Sequence, residues 1–109
     1  MNEPLFYSSL LKDYNIKWNL SYWRPEKVVW LNHLIIPKQH RGKLIGSRLM
    51  QEFTKWLDAN QYDSRLLVSN CYGTPENILI EFYKKFGYNI EKNKTKNIYM
   101  LRKYENGSI

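Results

Sequence analysis

The segment Ile16–Trp23 carries the most regular alternation of hydrophobic and polar residues in the chain. Its hydrophobic residues occupy every second position and therefore share one face of an extended strand: Ile16, Trp18, Leu20 and Tyr22. Because the residues between them are polar, the pattern predicts a strand with one face in water.

A second apolar segment, Lys27–Ile36, is hydrophobic on both faces and partly β-branched, which predicts a central strand. Pro25 favours a turn over Arg24–Lys27, because its ring fixes one backbone dihedral angle. Pro37 then ends the strand, because proline has no N–H to donate to a neighbouring strand.

Two segments show the spacing of amphipathic helices. Leu44–Ala59 carries one apolar stripe, and Asn60 is expected to close this helix in a left-handed conformation. The second helix is predicted to begin with Thr74 as its cap and Pro75 as its first residue, and to end at Gly87.

Shorter elements complete the pattern. Apolar residues at helical spacing predict a helix over Pro4–Asp13, with Asn2 as its cap. The remaining predictions are strands at Arg65–Asn70, Tyr88–Glu91 and Asn97–Lys103, a basic turn at Lys92–Lys96 and a frayed tail at Asn106–Ile109.

This order of elements predicts a mixed α/β sheet in a single domain over residues 1–105. A strand–helix–strand unit implies a right-handed crossover, and therefore parallel pairing between Lys27–Ile36 and Arg65–Asn70. The chain of 109 residues fits one domain, and its 16% of aromatic residues can supply a dense core.

The composition limits the cellular compartments and the binding partners that fit this chain. The single cysteine, Cys71, excludes an internal disulfide and a cysteine-based metal framework, which favours a reducing compartment. Met1–Leu10 does not have the pattern of a signal peptide, and Val28–Ile36 is too short to span a bilayer, so a cytoplasmic protein is expected. The formal net charge of +7 fits either a solvated basic surface or attraction to a polyanion.

The segment Gln39–Ser47 lies between the buried strand and the stronger helix. A helix N-terminus presents unpaired N–H groups and the positive end of the helix dipole, which suits a phosphate. Gly42 and Gly46 let the backbone approach an anion closely, and Arg41 and Lys43 add positive charge. The segment follows neither the Walker pattern nor the dinucleotide fingerprint.

The residues Arg41–Gly46 and Glu81–Tyr88 together resemble two motifs of the GNAT acetyltransferases, in the family's order. The first resembles the cofactor motif (Q/R)-x-x-G-x-(G/A), with Leu44 where the family usually has glycine. The second resembles the late helix, which ends in a tyrosine–basic–aromatic–glycine–aromatic signature. The family's N-terminal strand and two helices are mostly absent, so a homodimer that completes the acceptor site is expected.

The resemblance implies a GNAT-like fold with a central, splayed pair of parallel strands and two principal helices. It also implies binding of acetyl-CoA and transfer of its acetyl group to an amine, on a small molecule, a lysine or a protein N-terminus. The residues implied in cofactor binding are Leu34, Ile35, Ile36, Arg41, Gly42, Lys43, Leu44, Ile45, Gly46, Ser47, Asn77 and Tyr83.

Two residues are candidates for proton transfer. Tyr83 matches the family's acid, which protonates or hydrogen-bonds the departing sulfur, but it also fits ordinary packing beside Phe82. Family members often use a glutamate as base near the position of His33. Histidine exchanges protons in the physiological pH range, although a single histidine in an apolar strand is more often a hydrogen-bonded core residue. A water relay, or an amine that arrives neutral, needs no side-chain base.

A second function fits the same residues. A GNAT-like scaffold without activity can bind nucleic acid or a protein through basic side chains, including Lys84, Lys85 and Arg102. Charges of this kind are more often simply solvated. Leu44 separates the two functions, because a side chain that blocked the phosphate turn would favour the binding module.

Overall fold

The computed structural model describes residues 6–69, 74–91 and 96–105. Its helices are α1 (Ser9–Asp13), α2 (Ile45–Ala59) and α3 (Glu76–Lys84), and short 3₁₀ turns cover Arg24–Glu26 and Lys38–His40. Its strands are β1 (Lys17–Trp23), β2 (Val28–Ile35), β3 (Asp63–Val68), β4 (Asn89–Glu91) and β5 (Ile98–Arg102).

Within the described residues, five strands form one mixed sheet in the order β1-β2-β3-β5-β4. β2 and β3 are parallel, and the other neighbouring pairs are antiparallel. The predicted α/β class and the parallel pairing of the two central strands are therefore confirmed.

The central parallel strands pair along only part of their length. Their register runs from Val28↔Asp63 to Leu31↔Leu66, although β2 continues to Ile35 and β3 to Val68. We call the first part the paired end and the second the parted end. This is the splayed pair that the sequence resemblance implies.

Helices α2 and α3 pack against the same face of the sheet. One apolar core joins Leu31 of β2 and Leu66 of β3 to Phe53 of α2, and Phe82 of α3 packs against it. The opposite face carries Trp30, Asn32, Arg65, Leu67 and Tyr99, none of which belongs to either core. We call it the uncovered face, because no helix in the described ranges packs on it.

Polar contacts fasten the paired end. The guanidinium of Arg102 donates two hydrogen bonds to the carboxylate of Asp58, at 2.8 and 3.0 Å, and its Nε donates to the carbonyl of Phe86 at 2.7 Å. The hydroxyls of Ser64 and Tyr88 form a buried hydrogen bond of 2.7 Å. The carboxyl-terminal end of α2 is therefore tied to β5.

Several predicted boundaries are wrong. Residues 6–8 are not helical, because Ser8 is extended and its hydroxyl accepts from the N–H of Leu10, which starts α1 there. Pro75, not Thr74, occupies the cap position of α3. Asn60 is not left-handed; its side chain donates to the carbonyl of Trp56, and Gln61 has the positive φ of 59°.

Other predictions fall partly or wholly outside the described residues. These are the Asn2 cap, the end of the Arg65–Asn70 strand, most of the basic turn and the tail at Asn106–Ile109. The described part of β3 begins at Asp63, two residues earlier than predicted. Across the described ranges, every helix is too short or too polar to cross a bilayer.

Candidate functional site

A groove of about 400 Å³ opens where β2 and β3 part. Its walls come from the end of β2, the loop that follows, the first turn of α2, the end of β3 and one side of α3. The groove reaches both faces of the sheet, because Leu34 packs toward the helices whereas Asn32 and Leu67 lie on the uncovered face. A long ligand can therefore lie between the two strands.

The first turn of α2 forms one end of this groove. Among the described residues, no acceptor is bonded to the backbone N–H groups of Ile45, Gly46 or Ser47. Unpaired amides at a helix N-terminus, together with the helix dipole, favour an anion such as a phosphate.

Arg41 adds a fixed positive charge beside these amides. Its Nε donates to the carbonyl of Ile36 at 2.9 Å, and its terminal nitrogens have no partner among the described residues. The contact holds the guanidinium at the groove while leaving its outer edge free to bind an anion.

Leu44 does not close the phosphate turn. Its backbone is left-handed, with φ of 61° and ψ of 17°, and it takes the cap position of α2. The side chain is 73% exposed, so it does not fill the turn. A leucine in this conformation keeps the geometry that glycine would give, at a steric cost of about 1–2 kcal/mol.

Gly46 occupies a closely packed position. A Cβ at this position would lie 2.9 Å from Cδ1 of Ile36 and 3.5 Å from Cζ of Phe82. The missing side chain therefore lets the first turn of α2 lie against the end of β2 and against α3 at once.

Tyr83 lies in the wall that α3 contributes. Its ring contacts those of Phe82 and Tyr88, with centroids 5.2 and 5.8 Å away, so it has a packing role as well. Burial raises the pKa of Tyr83 to about 12. Its hydroxyl has no hydrogen-bond partner among the described residues and remains a neutral donor at physiological pH.

His33 and Asn32 lie at an irregularity of β2 on the β1 side. Both are exposed and line the groove. His33 is therefore not the buried, hydrogen-bonded core residue that the alternative interpretation required. Its role as a base stays a prediction.

Most of the residues implied in cofactor binding or proton transfer line the groove: His33, Leu34, Ile35, Ile36, Arg41, Gly42, Leu44, Ile45, Gly46, Ser47 and Tyr83. Lys43 and Asn77 are exposed and do not line it. The structure therefore brings the two sequence motifs together in space, and it leaves those two residues outside the groove.

Other residues also line the groove, and one of them, His40, lies in the segment Gln39–Ser47 that the sequence singled out. The ring centroids of His40 and Tyr14 lie 5.1 Å apart, and Nδ1 of His40 is buried with no hydrogen-bond partner among the described residues. Ile78 and Phe82 follow the helical stripe of α3, which could have identified them. Leu67 gave no signal, because strand spacing alone does not show where a strand loses its partner.

The charged residues that line the groove are basic. Arg41 and Lys85 lie in its walls, and none of the described lining residues is acidic. The described residues also contain no cluster of three or more histidine, cysteine, aspartate or glutamate side chains that could hold a metal ion. The electrostatics thus favour an anionic ligand.

Comparisons with known proteins agree with this geometry. Residues 13–90 match the family model of the acetyltransferase (GNAT) domain. No curated protein sequence matches the chain significantly.

Solved structures show the same fold. Ard1 from Thermoplasma volcanium is 17% identical with a TM-score of 0.64; the match covers 93% of this chain and 82% of that one. Naa50 from Arabidopsis thaliana, in complex with the bisubstrate analogue CoA-Ac-MVNAL, is 24% identical with a TM-score of 0.57, covering 79% and 61%.

The PaiA N-acetyltransferase from Thermoplasma acidophilum, in complex with coenzyme A, is 24% identical with a TM-score of 0.57. The match covers 72% of this chain and 47% of that one, so this chain spans about half of that protein's length.

Proposed function

The chain belongs to the GNAT acetyltransferase family, and from this premise we propose that it transfers the acetyl group of acetyl-CoA to an amine. The observation that carries the proposal is the set of free amides at the start of α2. They meet the guanidinium of Arg41 at one end of a groove between parted strands. The CoA complex of PaiA and the CoA-peptide complex of Naa50 support the same cofactor.

The diphosphate of the cofactor would bind to the amides of Ile45, Gly46 and Ser47. Arg41 would neutralise part of its charge, and His40 offers a further polar nitrogen in the groove wall. The exposed side chain of Leu44 leaves the turn open, which favours the enzyme over a scaffold that has lost its cofactor.

The edge of β2 would bind the extended arm of the cofactor. Beyond Leu31, the backbone groups that face β3 have no strand partner among the described residues. Leu34, Ile35 and Ile36 can therefore pair with an extended amide chain as with an additional strand.

Acetyl-CoA supplies an acetyl group activated as a thioester. The acceptor nitrogen replaces sulfur on the acetyl carbon, so one C–N bond forms, one C–S bond breaks, and one proton passes from nitrogen to sulfur. His33 would accept that proton at the uncovered face. An amine that arrives neutral, or a water relay, would make the base unnecessary.

Tyr83 would donate a hydrogen bond to the departing sulfur. A thiol has a pKa of about 8.5, well below the value of about 12 for this phenol. Complete transfer of the phenolic proton to a thiolate is therefore uphill. Tyr83 would stabilise the developing negative charge without losing its proton.

Calorimetric titration with acetyl-CoA tests the proposal. We expect saturable binding, and Arg41→Ala should weaken it by about 10- to 100-fold, because charge-assisted hydrogen bonds to phosphate are lost. Arg24→Ala, at an exposed arginine in the turn after β1, is the matched control and should leave binding unchanged. An absence of binding at millimolar acetyl-CoA would overturn the proposal.

The alternative binding module makes a different prediction. A chain that binds nucleic acid but not acetyl-CoA, with an affinity that falls steeply as salt is added, would support it. The homodimer also stays a prediction, and sedimentation of the purified chain tests it directly.

A further inference from the structure

Asn32 is displaced from the regular register of β2. Leu31 pairs with Leu20 and His33 with Asn19, so Asn32 is the extra residue of a β-bulge. A bulge turns a side chain away from the direction that simple alternation would give it, and bulges are common beside active sites. Here Asn32 follows Trp30 onto the uncovered face, and the bulge brings His33 to that face as well, beside its partner Asn19, so that both residues line the groove.

Two neighbours fix the orientation of the Asn32 carboxamide. Its Nδ2 donates to Oδ1 of Asn19 at 2.8 Å and to Oγ of Ser21 at 2.7 Å. Both N–H bonds of the amide are then used. The carbonyl oxygen Oδ1 has no partner among the described residues, so it is a preorganised hydrogen-bond acceptor in the groove.

An apolar surface lies next to this acceptor. Leu67 follows the last residue of β3 that pairs with β2, is 44% exposed and lines the groove. Its antiparallel partner is Tyr99, whose ring meets that of Trp30 edge-on at 6.1 Å. The uncovered face thus places a polar acceptor beside apolar side chains, with the Arg65–Glu91 ion pair farther along the same face.

We propose that the acceptor of the reaction is a primary amine on an apolar carbon skeleton, and that Asn32 and Leu67 bind it. The Oδ1 of Asn32 accepts a hydrogen bond from the amine nitrogen and positions it, and Leu67 packs against the skeleton. Asn32 cannot take up the proton, so it is a positioning residue and not the base. The inference rests on the proposed acetyl transfer and names its substrate class.

Steady-state kinetics with n-hexylamine and 6-amino-1-hexanol test the substrate class. The two amines differ only at the end remote from nitrogen, so they separate contact with the skeleton from basicity. We expect the wild type to have the higher kcat/KM for n-hexylamine. Leu67→Ser should reduce this preference by about fourfold, the equivalent of roughly one buried methylene group.

Ile90→Ser is the matched control for Leu67. Ile90 is a similarly exposed aliphatic residue, at 49%, on the edge strand outside the groove. This variant should keep the wild-type preference, since it changes the exposed apolar surface without touching the groove.

The role of Asn32 is tested by Asn32→Ala, with Asn89→Ala on β4 as the control. We expect KM for n-hexylamine to rise about tenfold in Asn32→Ala, because one hydrogen bond to the amine is lost. The dissociation constant of acetyl-CoA and the melting temperature should stay as in the wild type. Asn89→Ala should change none of these quantities.

The outcomes separate the two proposals. A wild type that does not bind acetyl-CoA overturns the acetyltransferase itself and this inference with it. A wild type that binds acetyl-CoA but acetylates only other amines overturns the substrate class alone. Unchanged KM in Asn32→Ala, or an equal loss of preference in Leu67→Ser and Ile90→Ser, also contradicts it.

Discussion

The central strands β2 and β3 serve different purposes at their two ends. At the paired end, β2 and β3 are hydrogen-bonded, and Val29 and Leu66 are almost completely buried. At the parted end, Asn32, His33 and Leu67 are exposed, and the backbone of β2 that faces β3 has no partner among the described residues. The hydrogen bonds that join β2 to β3 therefore lie at the paired end, and the parted end of β2 is held in the sheet by its pairing with β1.

Helix α2 joins the two ends. Its carboxyl-terminal end carries Asp58, which holds the buried guanidinium of Arg102, and its amino-terminal turn carries the free amides of the groove. Substitutions at the paired end should therefore change the free energy of unfolding, whereas those at the parted end should change binding and turnover.

The largest effect is expected for Asp58→Ala at the paired end. The guanidinium of Arg102, only 6% exposed, would be left without its counter-charge, at a cost of about 3–5 kcal/mol in the free energy of unfolding. Urea denaturation measures this. Glu81→Ala, which removes an exposed contact to Lys84, is the control and should cost less than about 0.5 kcal/mol.

The stability of the protein as a function of pH tests the contact between Asp58 and Arg102. Burial alone would raise the pKa of Asp58, but the hydrogen bonds from Arg102 and the N–H of Glu105, with the charge of Arg102, lower it overall. A lowered pKa means that the contribution is present above the ordinary value of 3.8 and is lost as the pH falls below it. A wild type whose stability does not decline there faster than that of Asp58→Ala would contradict this account.

Adjacent leucines of β3 give the sharpest comparison of the two faces. Leu66→Ala removes a side chain that is 2% exposed and should cost about 2–5 kcal/mol in the free energy of unfolding. Leu67→Ala should cost less than about 1 kcal/mol, because its side chain already lies partly in water. Chemical denaturation of both variants measures the difference, and equal losses would show that the uncovered face is buried in solution.

A pair of tyrosines should separate turnover from stability. Tyr83→Phe should lower kcat by about 10- to 100-fold, the loss of a hydrogen bond worth about 1.5–3 kcal/mol to a charged sulfur, with little change in melting temperature. Tyr88→Phe leaves the buried hydroxyl of Ser64 without its partner and should destabilise the fold by about 1–3 kcal/mol. If Tyr83→Phe lowered the melting temperature and Tyr88→Phe lowered kcat instead, the roles assigned to the two tyrosines would be refuted.

The smallest predicted effect is a gain in stability. Leu44→Gly relieves a left-handed leucine but increases the freedom of the unfolded chain, so a net gain of about 0.5–1 kcal/mol is expected. Lys43→Gly, where φ is not positive, is the control and should lose stability. Thermal melting measures both variants, and a loss in Leu44→Gly would mean that its side chain makes a contact worth more than the strain.

Local patterns predicted the elements whose causes are local. The alternation of Ile16–Trp23 gave β1 within one residue, and the apolar stripe of Leu44–Ala59 gave α2 with the same precision. Helix α3 ends at Lys84, three residues before the predicted Gly87, which has a positive φ of 94° in the turn that follows. The predicted cap residue of α3 was wrong because both Thr74 and Pro75 are common at helix starts, and the sequence alone does not show which of them takes the cap position.

The groove was harder to predict, because it is formed by segments that are distant in the sequence. The two motifs predicted the part of its lining that lies in the loop before α2, in the first turn of α2 and in α3, because each motif carries its own signature. Asn32 and Leu67 were not predicted to bind a ligand. The bulge against β1 and the point where pairing with β3 ends cannot be read from the sequence. Lys43 and Asn77 belong to the expected segments, but their side chains lie outside the groove.

Gly46 lets the first turn of α2 lie close to Ile36, the residue that holds Arg41. A side chain there would first have to displace Ile36, whose carbonyl holds Nε of Arg41 at 2.9 Å. The atom in the way is Cδ1, the end of a flexible side chain, whereas the carbonyl that holds Arg41 belongs to the backbone. The close fit that Gly46 permits therefore lies between the start of α2 and the side chains of Ile36 and Phe82, on the protein side of the turn whose residues line the groove.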